Sequence, residues 1–163
     1  MTDDASLAEL LDQERRLVFP SFDNETGIAL GLALLQAGRE RGLPITVDVT
    51  RTGQQIFHAA LPGTAADNDQ WVIRKNAVVY RFGHSSFYMG RSSAAKGVPF
   101  HERFIVDPLA FAPHGGAFPI TVAGTGIVGT VTVSGLPQQD DHALVVEILT
   151  RFLAERFGID ATR

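Results

Sequence analysis

The sequence predicts an α+β fold: an antiparallel sheet of two hairpins with flanking helices, in the order α-α-β-β-α-α-β-β-α. Two observations carry this expectation. Apolar residues recur at helical spacing near both ends and in the middle of the chain. Two other segments switch to period two, and each is broken by a glycine turn. Hairpins separated by helices fit an antiparallel sheet with helices packed against it. The 163 residues, 45% hydrophobic and 20% charged, suit one domain covering residues 1–163.

Each element has a local cause. Ser6-Leu7-Ala8-Glu9 has capping-box spacing, and Leu7, Leu10, Leu11, Leu17 and Val18 follow a helical period. Phe19-Pro20 ends that helix, because a residue before proline avoids the α region. Asp23 suits the N-cap of a second helix with Ile28, Leu32 and Leu35 on one face, and Gly42 suits its C′ position. Gly27 and Gly31 stand one turn apart, which invites close packing of another element. In ITVDVTR, Ile45, Val47 and Val49 alternate with Thr46, Asp48 and Thr50, as on a half-buried strand. Thr52-Gly53 turns the chain into the returning strand QQIFHAAL. Asp67 and Asp69 are expected to cap a helix over Trp71 to Phe82, which Gly83 stops. Ser85 or Ser86 caps another helix, to about Ala95. Lys96 to Pro113 reads as irregular, with a short turn at Asp107-Pro108. AFPITVA and IVGTVTV flank the turn Gly124-Thr125-Gly126, and Pro119 marks an edge or a bulge. Asp140 or Asp141 caps a last helix, with Val145, Leu149, Phe152 and Phe157 near one face.

Composition excludes several functions. There is no cysteine, so disulfides, thiolate metal sites and cysteine nucleophiles are absent. A net charge of −4 argues against general nucleic-acid affinity. The N-terminus lacks a basic and apolar leader pattern, and no apolar run is long enough for a membrane span, so a cytoplasmic protein is expected. Charge is segregated. Asp3, Asp4, Glu9, Asp12, Glu14, Asp23 and Glu25 crowd the N-terminal part, whereas Arg74, Lys75, Arg81, Arg91, Lys96 and Arg103 lie between Trp71 and Arg103. A basic segment of this kind can hold an anionic ligand or an acidic partner, or can simply be a solvated face balanced by the acidic N-terminus.

Two motifs fail on context. GTGIVG matches the dinucleotide-binding pattern, but the strand Thr130-Val131-Thr132-Val133 follows where a helix is required. His114-Gly115-Gly116 resembles an esterase oxyanion loop, but Gly83-His84-Ser85-Ser86-Phe87 lacks the closing glycine of a nucleophile elbow. Among the five histidines, none form a metal-binding pair by spacing. His58 packs or hydrogen-bonds in a strand, His101 is expected to be exposed, and His142 is expected at the surface near the start of the last helix. His84 and His114 each border glycine in a loop and are the candidates for a ligand, including a metal or haem iron.

The second half, GGAFPI, GTG, GTVTVSG and LPQQDDHALV, resembles the haem-degrading-domain family, also called GlcG/HbpS-like. FPSFDNETGIALG, GQQIFHAALPGTAADNDQW and RKNAVVYRFGHSS resemble a branch of that family with unassigned function. The sequence departs from the broad family pattern by one inserted residue in Gly115-Gly116-Ala117-Phe118-Pro119-Ile120. The resemblance implies a profilin-like α+β fold, symmetric homo-oligomers, haem as a cofactor and a haem-binding or haem-degrading function. A haem pocket needs apolar walls, an axial ligand and cations for the propionates. Phe82, Phe87, Phe111 and Phe118 are candidate walls, His114 or His84 the iron ligand, and Arg74, Arg81 or Arg91 the cations. The alternatives are a non-catalytic oligomeric scaffold that binds a protein partner, and a sensor that holds a small anion on the amides near Gly115 and Gly116.

Overall fold

A computed structural model describes residues 5–163, so Asp3 and Asp4 of the acidic segment lie outside the described residues. Helix α1 spans Leu7–Arg16, with the Ser6 hydroxyl accepting the Glu9 N–H at 3.2 Å. Helix α2 spans Asn24–Glu40, with Asp23 accepting the Thr26 N–H at 2.8 Å. Strands β2 (Thr46–Arg51) and β3 (Gln54–Ala60) form the first hairpin. Helices α3 (Ala66–Phe82) and α4 (Ser86–Ala95) follow, and α4 is capped by Ser85. The second hairpin pairs β4 (Ala117–Val122) with β5 (Gly126–Ser134), and α6 spans Gln138–Phe157.

Two elements were not expected. Val18–Phe19 forms a short strand, β1, paired in parallel with Thr121–Val122. Helix α1 therefore stops at Arg16, before the apolar run ends. Pro20 favours extended backbone just before it, and the free edge of β4 supplies the partners. Phe100–Phe104 forms α5, held by ring contacts among Phe82, Phe100 and Phe104 at 4.7–5.4 Å. The sheet order is β1-β4-β5-β2-β3, antiparallel apart from β1. Pro119 sits where β4 has no β1 neighbour, so its missing N–H breaks no ladder bond.

The sheet is covered on both faces. Side chains alternate across a strand. Val47, Val49, Val131, Val133, Phe118 and Ile120 meet Leu30 and Leu34 of α2 and Val145, Ile148 and Leu149 of α6 in the main core. Thr46, Asp48, Thr130, Thr132 and Ser134 alternate with them and are buried too. The expectation of half-buried strands is thus corrected: α3 covers the polar face and supplies hydrogen-bond partners for it.

The expected face of α2 is also corrected. Leu32 is 52% exposed, and the buried stripe runs through Gly27, Leu30, Gly31, Leu34 and Gly38. A Cβ on Gly27 would stand 2.2 Å from the Ile56 side chain, and one on Gly31 would stand 2.3 Å from the Phe57 ring. The glycines let β3 press its side chains against the helix. A bulge opposite Val49 and Thr50 puts the neighbours Ile56 and Phe57 on the same face of β3.

Candidate functional site

Lys75 lies on the buried face of α3, one turn after Val72 and one before Val79. Its ammonium donates to the Val133 carbonyl at 3.3 Å and to Asp141 Oδ2 at 3.1 Å. Lys75 is 3% exposed and Asp141 1%. Asp141 also accepts the Leu136 N–H at 2.9 Å and the Gly135 N–H at 3.3 Å, so it ties the end of β5 to the start of α6. Burial pulls the Lys75 ammonium down and pushes the Asp141 carboxyl up, and each is held back by the charge of the other. Asp140 and Asp141 lie in the first turn of α6, whose N-cap is Pro137; neither is the cap that the sequence suggested.

A pocket of about 300 Å³ opens over this pair. Its lining includes Asn68, Trp71, Lys75, His114, Ser134 and Gln138. The His114 ring meets the Trp71 indole edge-on, with centroids 5.3 Å apart. Burial first, then the charges of Lys75, Arg74 and His101, pull the His114 imidazole below its ordinary range, so it is neutral at neutral pH. Its Nδ1 is buried without a hydrogen-bond partner. On the other side His114 borders a second pocket of about 410 Å³, whose walls include Ala94, Val98, Pro99, Phe100 and Pro113, with Arg91 at its edge.

The two glycines after His114 hold the loop tightly in place. Gly115 donates to Gln138 Oε1 at 3.1 Å, and a Cβ there would lie 2.0 Å from the Gln138 carbonyl. Gly116 has φ +138, and a Cβ would meet the Val133 carbonyl at 2.2 Å and Lys75 Nζ at 2.8 Å. The loop presses on β5 and α6, which brings His114 beside the ion pair.

The other sequence candidates are dispersed. His84 lines a different pocket, near Tyr88 and Arg103, and its Nδ1 bonds Glu14 at 2.7 Å. Arg81 is exposed, with its guanidinium 5.4 Å from the Phe111 ring. Phe118 is buried in the main core. Phe82 and Phe111 pack around a smaller cluster with Val78, Met89 and Phe100. Of these residues, the structure brings together His114, Gly115 and Gly116, and adds Lys75, Asp141, Trp71, Asn68 and Gln138. Sequence reasoning counted Lys75 only among basic residues. Its signal was a lysine at helical spacing between the apolar Val72 and Val79.

Three further positions differ from expectation. His142 is buried, bonds Gln13 at 2.8 Å, and is pulled down to about 4 by burial. His101 is partly buried and bonds the Phe111 carbonyl at 2.8 Å. Asp67 and Asp69 lie inside the first turn of α3, after the N-cap Ala65. Asp69 and the buried Asp48 instead hold His58 from both sides, each at 2.9 Å. Burial lowers His58, but the two carboxylates outweigh it and raise the imidazole above its ordinary value. Among the described residues, no three histidine, aspartate or glutamate side chains are grouped to hold a metal ion, and no helix is long and apolar enough to cross a membrane.

Comparison with known proteins follows the same architecture. The family model for haem degrading protein HbpS-like matches residues 22–150. A UPF0303 protein of Streptomyces coelicolor is 56% identical over 150 residues, covering 92% of this chain and 95% of the relative. The crystal structure of Ybr137w protein superposes with a TM-score of 0.87 at 34% identity, covering 94% of this chain and 91% of that one. The crystal structure of a PduOC:heme complex shares the fold, with a TM-score of 0.61 at 13% identity, covering 81% and 94%. The match over most of the chain and the near full-length identity to its relatives place this chain in the HbpS-like haem-degrading protein family.

Proposed function

We propose that this chain is a haem-binding protein and that His114 is its iron ligand. The observation that carries this is the placement of a neutral, half-buried imidazole at the border of an apolar-walled pocket. Family membership and a haem complex on the same fold support it. The residues fit the group: neutral imidazole is a good ligand for haem iron, and a haem site is mostly apolar with a few fixed polar groups. Bound haem would supply redox chemistry at iron, and the protein tunes that chemistry through the axial ligand and the polarity around it. In this chain Val98, Pro99, Phe100 and Pro113 would give haem apolar walls, and Arg91 would offer a cation for a propionate. Gly115 and Gly116 fix the backbone on which His114 is carried. Titration of the protein with haem tests this. A Soret shift in the parent chain that is lost in His114→Ala is expected. No shift in the parent, or an unchanged spectrum in His114→Ala, would remove His114 from the role.

We also propose a homo-oligomer. Ile105 is 89% exposed and Leu109 84%, both on the loop that follows α5. Ile105 also holds φ +54, a conformation that a β-branched residue rarely adopts. Contiguous exposed apolar patches mark interaction surfaces, and Ile105 and Leu109 are the residues assigned to one here. Light scattering is expected to show an assembly that Leu109→Glu weakens. A monomeric parent chain would sink this part.

A further inference from the structure

Apart from the His114 ring, the pocket above Lys75 has a one-sided hydrogen-bond inventory. Its oxygens are already engaged within the protein. Asp141 accepts from Lys75, Leu136 and Gly135. Asn68 Oδ1 accepts the Ala65 N–H at 2.9 Å, and Gln138 Oε1 accepts the Gly115 N–H at 3.1 Å. Ser134 Oγ accepts from Asn68 Nδ2 at 3.2 Å. The donors are not exhausted. An ammonium has three N–H groups and a side-chain amide two. Lys75 uses two of its three, on Val133 and Asp141. Asn68 uses one of two, and among the described residues Gln138 Nε2 and the Ser134 hydroxyl proton have no acceptor. Four side chains from α3, β5 and α6 thus bring spare donors to one cavity.

Such a cavity selects a ligand made of acceptors. Charge narrows the class. Lys75 and Asp141 nearly cancel, and His114 is neutral. Arg74 adds one positive charge near the pocket, with its guanidinium 4.2 Å from the centre of the Trp71 ring, and Asp67, which accepts the Trp71 Nε1–H at 3.1 Å, offsets it. With these charges balanced, the spare donors suit a monoanion better than a dianion, because surplus negative charge beside the buried Asp141 would be repelled. Trp71 and Leu136 give the pocket an apolar side. The volume of about 300 Å³ is at the small end for ligand sites.

We propose that this pocket binds a small monocarboxylate, held by Lys75, Asn68, Ser134 and Gln138 with its apolar part against Trp71. The site is distinct from the apolar pocket assigned to haem, and the two share His114 and Gln138 on their borders, so Asn68→Asp is the variant that touches the carboxylate site alone. It requires no bound haem.

Trp71 is the only tryptophan in the chain, so its fluorescence reports this pocket directly. Titration of the full chain with acetate, benzoate, inorganic phosphate and ethylammonium is the test. A saturable change with acetate or benzoate is expected, with none from ethylammonium. Asn68→Asp keeps the oxygen that caps Ala65 and replaces the donor with a carboxylate oxygen. Gln138→Glu does the same for Gly115. Each change is isosteric and keeps the bond to the backbone amide; in Asn68→Asp the bond to Ser134 also turns round, with the Ser134 hydroxyl donating to the new oxygen. Each is expected to weaken carboxylate binding by about tenfold or more. Three results would overturn the proposal: no saturable change with either carboxylate, unchanged affinity in both variants, or tighter binding of phosphate than of the carboxylates. The haem assignment is read separately, by the Soret band and His114→Ala. Either can therefore fail while the other stands.

Discussion

Lys75 Nζ and Asp141 Oδ2 meet at 3.1 Å between α3 and α6, beneath the pocket that His114 borders. The pair is almost fully buried and its carboxylate is bonded to two backbone amides as well. It therefore sets the relative position of three elements that line the site. A buried ion pair adds little net stability over an apolar pair, but removing one partner strands the other charge. Lys75→Met and Asp141→Leu alone are each expected to cost about 3–5 kcal/mol. The double variant is expected to recover part of that loss. Urea unfolding of the two single variants and the double variant measures the coupling. Additive losses would show that the two charges do not depend on each other.

Gly116 is held at φ +138 with backbone on one side and Lys75 on the other. Alanine there suffers both backbone strain and a clash with the Val133 carbonyl. Gly116→Ala is expected to destabilise the chain by about 1–3 kcal/mol from strain alone. Chemical denaturation is the check, and a loss below about 0.5 kcal/mol would mean that the loop simply relaxes.

His142 is neutral in the folded chain until about pH 4, whereas an unfolded histidine takes up a proton near 6.5. The unfolded state therefore binds more protons between these values. Stability is fully present above about pH 6.5 and falls as pH drops towards 4, by roughly 3 kcal/mol in total. His142→Gln is expected to flatten this acid slope in urea titrations at pH 4.5, 5.5 and 7. An unchanged slope would assign the acid sensitivity elsewhere.

His58 works in the opposite sense. Its folded value is raised by Asp48 and Asp69, so its contribution is complete below about pH 6.5 and is lost as pH rises through the folded value. In His58→Gln the fall in stability on the alkaline side of neutrality is expected to be smaller than in the parent chain. Equal slopes from pH 6 to 9 would show that the imidazolium is not held by the two carboxylates.

His84 is engaged with Glu14, whose carboxylate also accepts the Ser85 N–H at 2.7 Å. It lines a pocket that His114 does not share. His84→Ala is expected to leave haem spectra unchanged while His114→Ala abolishes the Soret shift. Loss of the shift in His84→Ala would move the ligand to the loop before α4.

The element pattern was legible from local rules. Ser6, Asp23 and Ser85 cap their helices through their own side chains, and Gly42 ends α2 with a positive φ. These signals act over three or four residues, so they survive without a tertiary context. The same is true of the hairpin turn at Gly124-Thr125-Gly126, which excluded a dinucleotide site. His114, Gly115 and Gly116 could also be singled out locally, as a histidine beside two glycines at a strand entrance.

Contacts between distant segments decided the rest. β1 exists because an edge of β4 was free, more than a hundred residues away. The polar face of the sheet is buried because α3 lies over it with Asn76 and Lys75. His142, polar and near a helix start, looks like a surface residue until Gln13 and the rings of Phe87 and Phe118 enclose it. Residues 75, 114 and 141 form one site only after α3, the glycine loop and α6 converge. Caps and turns are short-range hydrogen bonds and steric limits on single residues, so the order of residues specifies them. Burial, charge pairing and the meeting of spare donors in one cavity depend on which faces pack together, and that is settled only when the whole chain has folded.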